Sequence, residues 1–259
     1  MGRFSGKTVV LTGAGSGIGA AMAKRFAADG ANIVGLDISK AGLDPVIGEI
    51  TAAGGNAIGC VTDVTNEDSV CAAAKAAVDR FGSIDAWINC AGYSRIVPML
   101  ECTDEIWNNT ININLKGCFY GCRAAVRQML KQEKGAIVNI SSESGKRGGA
   151  QYQAYCASKF GIIGMTQSIA QEFAKQGIRA NCVCPGVVPT PMWDKQRVDY
   201  ARKRNIAPED VMAYFCNKIP MGRLCSYDDL YGIISFLASD DSKYMTGQAL
   251  NATGGSTMY

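Results

Sequence analysis

The sequence predicts an α/β fold, a doubly wound sheet of about seven mainly parallel strands with helices on both faces. Three observations carry that expectation. Short apolar runs rich in β-branched residues alternate with longer stretches of helical periodicity. The runs are apolar along their length, as strands covered on both faces must be. With 259 residues, 47% of them hydrophobic, the chain has enough apolar material to bury such a sheet.

In order, Thr8-Val9-Val10-Leu11 reads as the first strand and leads into a glycine turn and a helix from Ile18 to Ala28. Asn32–Leu36 is the second strand, and a helix near Leu43–Ala53 follows. Ala57–Val61 is the third, followed by a helix over Glu67–Phe81 with Thr65 and Asn66 as cap candidates and two acids in its first turn. Ile84–Ile88 is the fourth strand, and one long helix is expected over Asp104–Lys131. Ala136–Ile140, a helix over Ala154–Lys175 and the strand Ile178–Val183 continue the alternation. After Cys184 the pattern breaks, because Pro185, Pro189, Pro191, Pro208 and Pro220 punctuate short helices and loops. Asp228–Ala238 is then a helix and Gln248–Asn251 the last strand. No repeat or linker appears, so a single domain over 1–259 is expected, with an insertion at about 187–222 that covers the substrate.

Composition removes several chemistries. The chain has no histidine, which excludes a Ser-His-Asp triad, an imidazole base and a histidine-ligated metal. Lys and Arg total 26 against 23 Asp and Glu, a net charge of +3 that is too even to imply nucleic acid. The local exception is Lys195, Arg197, Arg202, Lys203 and Arg204, either a solvated helical face or an anion site. Eleven cysteines form no CxxC pair, and their number is odd. Reduced thiols in a cytoplasmic protein, with no metal, are expected rather than a disulfide framework. Cys118 and Cys122 share a helix face as small core residues. No apolar run approaches the ~20 residues of a membrane span.

Thr12-Gly13-Ala14-Gly15-Ser16-Gly17-Ile18-Gly19 lies between the first strand and the first helix. Glycines there permit a tight turn and let a helix N-terminus approach a pyrophosphate. Gly6-Lys7-Thr8 lacks the leading glycine of a phosphate loop and starts a strand, so it is set aside. Asp37 closes the second strand, where a carboxylate accepts the adenosine ribose hydroxyls and repels a 2′-phosphate, favouring NAD over NADP. A helix cap is the alternative role for Asp37, and methyltransferases also place an acid there.

Tyr155 and Lys159 are four apart in a helical stretch and share a face. An ammonium beside a phenol makes the phenol a proton donor or acceptor usable near neutrality. Ser142 lies thirteen residues upstream, just after a strand. Tyr214 and Lys218 repeat the spacing but fall in the irregular insertion with Ala201 in place of the serine, so they are read as incidental.

With these residues in view, the chain resembles the short-chain dehydrogenase/reductase family over nearly its whole length. The carrying motifs are Thr12–Gly19, Asp63-Val64, Asn89-Cys90-Ala91-Gly92, Asn114, Ser142, Tyr155-xxx-Lys159 and Pro185-Gly186-Val187-Val188-Pro189-Thr190. Cys90 departs from the family's usual asparagine. The resemblance implies a Rossmann-type fold, a homotetramer, and hydride transfer to or from nicotinamide. It implies that Tyr155 exchanges the proton, Ser142 bonds the substrate oxygen, Lys159 holds the nicotinamide ribose, and Asn114 positions a relay water. It places Gly13, Gly15, Ser16, Gly17, Ile18, Gly19 and Asp37 on the cofactor, together with Asp63 and Val64 at adenine. Asn89 falls near the adjoining ribose and Val188 and Thr190 near the carboxamide, with Ala91, Gly92, Tyr155, Lys159, Pro185 and Gly186 also on the cofactor.

Within the family the chain looks most like polyol dehydrogenases, including those for sorbitol and sorbitol 6-phosphate, on Thr190-Pro191-Met192-Trp193, Tyr200–Arg223, Thr246-Gly247-Gln248 and Thr253-Gly254-Gly255. The loops after the fourth to sixth strands offer Ser94, Arg95, Glu143, Gln151, Tyr152 and Trp193 as substrate contacts. So many hydrogen-bonding groups suit a polyhydroxylated substrate. If it is phosphorylated, Lys195, Arg197, Arg202 or Arg204 would hold the phosphate. Acetoin or diol, 3-oxoacyl and hydroxysteroid reductases are the alternatives in the same class. A non-catalytic NAD sensor is the alternative outside it.

Overall fold

A computed structural model describes residues 2–259. The strands are β1 (Thr8–Thr12), β2 (Asn32–Asp37), β3 (Ala57–Val61), β4 (Ala86–Asn89), β5 (Gly135–Ile140), β6 (Ile178–Pro185) and β7 (Ala249–Ala252). They form one sheet in the order β3-β2-β1-β4-β5-β6-β7, and every neighbouring pair is parallel. The helices are α1 (Gly17–Ala28), α2 (Lys40–Ala52), α3 (Glu67–Phe81), α4 (Asp104–Ile111), α5 (Gly117–Gln132), α6 (Gln153–Phe173), α7 (Pro191–Arg204), α8 (Val211–Lys218) and α9 (Tyr227–Ala238).

Strand side chains alternate between two apolar layers. Val9 and Leu11 of β1 pack with Met22 and Phe26 of α1 and with Leu230 and Ile234 of α9. Val10 points the other way, to Val70 and Ala77 of α3, Cys122 and Met129 of α5, and Ile162 of α6. Both faces of the sheet are therefore covered, as the uninterrupted apolar runs require. Cys118 and Cys122 are buried in the second layer. A third, smaller cluster lies over the end of the sheet, where Tyr200 of α7 packs against Trp193 at 5.7 Å and Phe215 of α8 at 4.6 Å between ring centroids.

Three expectations need correction. The long helix expected over Asp104–Lys131 is interrupted by a π-helical turn at Asn112–Lys116. Asn114 is buried in that turn, and its amide is fixed by the Tyr93 backbone, which opens the helix locally. Strand β6 runs two residues past Val183, because Cys184 and Pro185 pair with Asn251 and Ala252 of β7. The insertion is more helical than its prolines suggest: Pro191 sits in the first turn of α7, where a missing N–H costs nothing. Tyr214 and Lys218 thus lie on a helix, α8, and Tyr214 packs beside Tyr200 rather than at the sheet end.

Sheet order reverses between β1, which leads out to β2 and β3, and β4, which leads to β5, β6 and β7. Such a switch point opens a crevice beyond the carboxyl ends of the strands. Asp37 closes β2, and the glycine turn, Ala91-Gly92 and Ser142 follow strand ends, all on that side.

Candidate active site

The first βα turn is built for close approach. Gly13 has φ +69°, and a Cβ there would meet the Ala91 Cα at 2.9 Å. At Gly19 a Cβ would fall 2.1 Å from the Gly13 carbonyl oxygen. Thr12 Oγ1 accepts the N–H groups of Cys90 and Ala91 at 2.9 and 3.0 Å, tying the turn to the end of β4. Ser16 precedes α1 in extended conformation and its side chain makes no capping bond, so the helix N-terminus keeps its N–H groups for a ligand.

A cleft of about 680 Å³ runs along these strand ends. One end holds Asp37, Asp63 and Val64; the middle holds Gly13, Ser16–Gly19, Ala91 and Gly92; the far end holds Tyr155, Lys159, Pro185, Gly186, Val188 and Thr190. Asp37 Oδ2 accepts the Gly15 N–H and Oδ1 the Ser39 N–H, both at 2.8 Å, which aims the carboxylate while leaving lone pairs for further donors. Asp63 Oδ1 is held by the Thr65 N–H and hydroxyl at 2.8 and 2.7 Å. Gly15 forms the turn beneath Asp37 without lining the cleft. An elongated cleft, glycines no side chain can replace and an uncapped helix start fit a dinucleotide.

Asn89 is placed differently from the expectation. Its side chain is buried below the cleft, accepting from Trp87 Nε1 at 2.9 Å and donating to Asn139 Oδ1 at 2.8 Å. Asn139 in turn donates to Thr166 Oγ1 at 2.8 Å. This amide relay joins β4, β5 and α6 from below, and the Asn89 side chain does not line the cleft. The neighbour that does is Cys90, whose thiol burial pushes up to about 12.

Ser142, Tyr155 and Lys159 line the far end of the cleft, with Asn114 buried nearby. Lys159 is buried on α6, and its Nζ donates to the Ile140 carbonyl at 2.8 Å and stands 5.5 Å from the Tyr155 ring centroid. Ser142 lies two residues past the end of β5, and its Oγ accepts the Ser144 N–H at 3.1 Å. Asn114 Oδ1 accepts the Tyr93 N–H at 2.7 Å, while Nδ2 donates to the Tyr93 carbonyl and to Ser158 Oγ at 2.9 and 3.0 Å. A Cβ on Gly92 would lie 3.6 Å from Asn114 Oδ1 and 3.9 Å from Lys159 Nζ, which places Gly92 against both side chains. The Asn114 side chain is fully engaged and does not line the cleft, whereas Asn112 and Ile113 of the π turn do.

A second cavity of about 370 Å³ opens beside the first and shares Ser142, Tyr155, Gly186, Met192 and Trp193 with it. Ser94, Glu143 and Tyr152 line it. Burial pushes the Tyr152 phenol up, so it stays a neutral hydrogen-bonding group. Arg95 and Gln151 line neither cavity. Arg95 is exposed, and Gln151 sits at φ +64° with its carbonyl accepting the Val97 N–H. Sequence reasoning missed Arg147, Gln196, Tyr200 and Phe215 in this wall. The basic run is also divided. Arg197 pairs with Asp194 and Arg202 with Asp199, Lys195 lines the cofactor cleft, and Lys203 and Arg204 face the second cavity.

A family profile described as enoyl-(acyl carrier protein) reductase matches residues 13–257. The 3-oxoacyl-[acyl-carrier-protein] reductase FabG of Thermotoga maritima is 38% identical over 253 residues, covering 98% of both chains. D-threitol dehydrogenase of Mycolicibacterium smegmatis is 36% identical, covering 99% of this chain and 95% of its own. Sorbitol-6-phosphate 2-dehydrogenase from Erwinia amylovora superposes with a TM-score of 0.92 at 32% identity, covering 97% of this chain and 100% of its own. An actinorhodin polyketide ketoreductase solved with NADPH gives 0.94, also at 32%, over 98% of each chain. Parallel sheet, glycine turn, Tyr-Lys pair and whole-length matches agree: the chain belongs to the short-chain dehydrogenase/reductase family, oxidoreductases acting on alcohol and ketone groups.

Proposed function

We propose that this protein uses NAD(H) to interconvert a secondary alcohol and a ketone on a polyol or sugar alcohol, with Tyr155 as the acid/base. The observation that carries the proposal is the shared wall, where Ser142 and Tyr155 face both the long cleft and the adjoining cavity. A carbinol lodged in the cavity presents its oxygen to both hydroxyls and its carbon to the cleft. Nicotinamide bound there supplies or receives the hydride. Ser142 Oγ accepts the Ser144 N–H, so its own proton is free for the substrate oxygen. Tyr155 exchanges the single hydroxyl proton with that oxygen. Lys159 spends one of its three N–H donors on Ile140, which fixes the ammonium while leaving donors for the nicotinamide ribose. Asn114 positions the Tyr93 turn around this centre.

Asp37 supports NAD over NADP, because its aimed carboxylate suits ribose hydroxyls and opposes a 2′-phosphate. The nearby Lys40 is engaged by Asp44 at 2.5 Å. The hydroxyls, amides and charges of the second cavity support a polyhydroxylated substrate. Phe119 on α5 and Phe160 on α6, each at least 40% exposed, support assembly of copies through these helices, consistent with a homotetramer.

Reduction of 3-oxoacyl thioesters is the second reading, favoured by the FabG relative. Absorbance at the reduced-nicotinamide band, with NAD and NADP across polyols, diols, steroids and acyl thioesters, separates the two. The proposal expects the best kcat/KM on a polyol with NAD, and a best rate on an acyl thioester with NADP contradicts it.

A further inference from the structure

Helix α7 presents Gln196, Tyr200, Lys203 and Arg204 to the second cavity at intervals of four, three and one residues, a single face of the helix. Three cations line that cavity against one carboxylate, Glu143. Glu143 is already committed: Oε2 accepts from Arg147 at 3.0 Å and from the Ser256 and Thr257 hydroxyls at 2.8 and 3.4 Å. Lys203 and Arg204 pair with no carboxylate among the described residues. Lys203 Nζ instead donates to the Ala150 carbonyl and stands 4.7 Å from the Tyr152 ring centroid. The Arg204 guanidinium lies 5.6 and 5.7 Å from the Tyr200 and Tyr214 rings, with Nε near the Tyr200 hydroxyl at 3.4 Å. Half-buried Lys203 and exposed Arg204 thus stand side by side along an aromatic wall, with no carboxylate among the described residues paired to either.

A separate observation points to a polar ligand in the same cavity. Ser94 is 7% exposed, its Oγ has no hydrogen-bond partner, and it lines this cavity beside Gln196, which donates to the Ser94 carbonyl at 2.9 Å. A buried hydroxyl without a partner carries a desolvation cost that a bound oxygen removes.

Building on the alcohol–ketone reading of this site, we propose that Lys203 and Arg204 anchor a terminal phosphate ester of the polyol, with Ser94 bonding the chain between phosphate and reacting carbon. The ring of Tyr152 links the two ends, 6.1 Å from the Tyr155 ring and under the Lys203 ammonium. Burial and then the adjacent Arg204 lower the Lys203 pKa, and a bound dianion opposes both effects. Arg197 and Arg202 take no part, since each is paired with an aspartate.

The test is steady-state NAD reduction on sorbitol, sorbitol 6-phosphate and gluconate by the wild type, Lys203→Gln and Arg204→Gln. Each variant is expected to raise KM for the phosphate ester by about tenfold or more, well beyond its effect on sorbitol. In the wild type, inorganic phosphate is expected to compete with the alcohol substrate rather than with NAD, and each variant is expected to weaken that inhibition. Equal effects on ester and free polyol overturn the anchor, as does phosphate competing only with NAD. Preference for gluconate over the ester replaces the phosphate with a carboxylate and also overturns the proposal. If no polyol is turned over, the polyol reading fails separately. Phosphate competition against the carbonyl substrate that is turned over, and its response to Lys203→Gln, then decides the anchor.

Discussion

Cys90 shows how one side chain in the cleft follows from strand parity. Trp87 and Asn89 are two apart on β4 and share the lower layer, while Ile88 and Cys90 face the other side. The parity was present in the sequence, and applying it would have placed Cys90 rather than the Asn89 amide on the cleft wall. Burial holds the Cys90 thiol up to about 12, so near neutral pH it carries its proton and is a weak nucleophile. Native protein treated with iodoacetamide near neutral pH is expected to leave Cys90 unmodified, although the unfolded chain is alkylated there, as read by peptide mass spectrometry. Equal labelling in both states contradicts that environment. Arg95 and Gln151 were beyond sequence reasoning for another reason: loop side-chain directions depend on turns such as the positive φ at Gln151, which no periodicity encodes.

Elements were legible where local chemistry decides them. Asn66 accepts from the Ser69 N–H at 3.1 Å and starts α3 where its cap predicts. The π turn between α4 and α5 was not legible, because it rests on a tertiary contact between Asn114 and the Tyr93 loop. At α9, Ser226 and Asp229 form a reciprocal capping box, and Arg223 grips the Asp229 carboxylate at 2.5 and 2.9 Å. The Ser226→Ala variant is expected to lose about 1 kcal/mol in denaturant unfolding. The Arg223 hydrogen bond, followed by those of Ser226, holds the Asp229 pKa well below its ordinary 3.8. A depressed folded-state pKa stabilises above the unfolded value and loses that contribution as pH falls below it. The penalty of Asp229→Asn is therefore expected at neutral pH and to shrink as acid protonates the wild-type carboxylate. A penalty independent of pH contradicts the assignment.

For the whole molecule, β/α alternation of strands apolar along their length was enough to predict the parallel sheet, and the structure and the whole-length matches agree. Strands apolar on both faces, each followed by a helix, are best buried by helices on either side of one sheet. The second cavity was less legible. Its wall joins β4 and β5 loops to α7 and α8, so the separation of Lys203 and Arg204 from the paired Arg197 and Arg202 appears only after the insertion folds over the sheet. The absence of histidine is consistent with proton transfer by a phenol near a fixed ammonium. The most direct measurement compares NADH formation by the wild type and Tyr155→Phe on the best alcohol substrate, with NAD binding followed by calorimetry. Turnover is expected to fall by about 100-fold or more while NAD still binds; turnover retained near the wild-type rate contradicts Tyr155 as the acid/base.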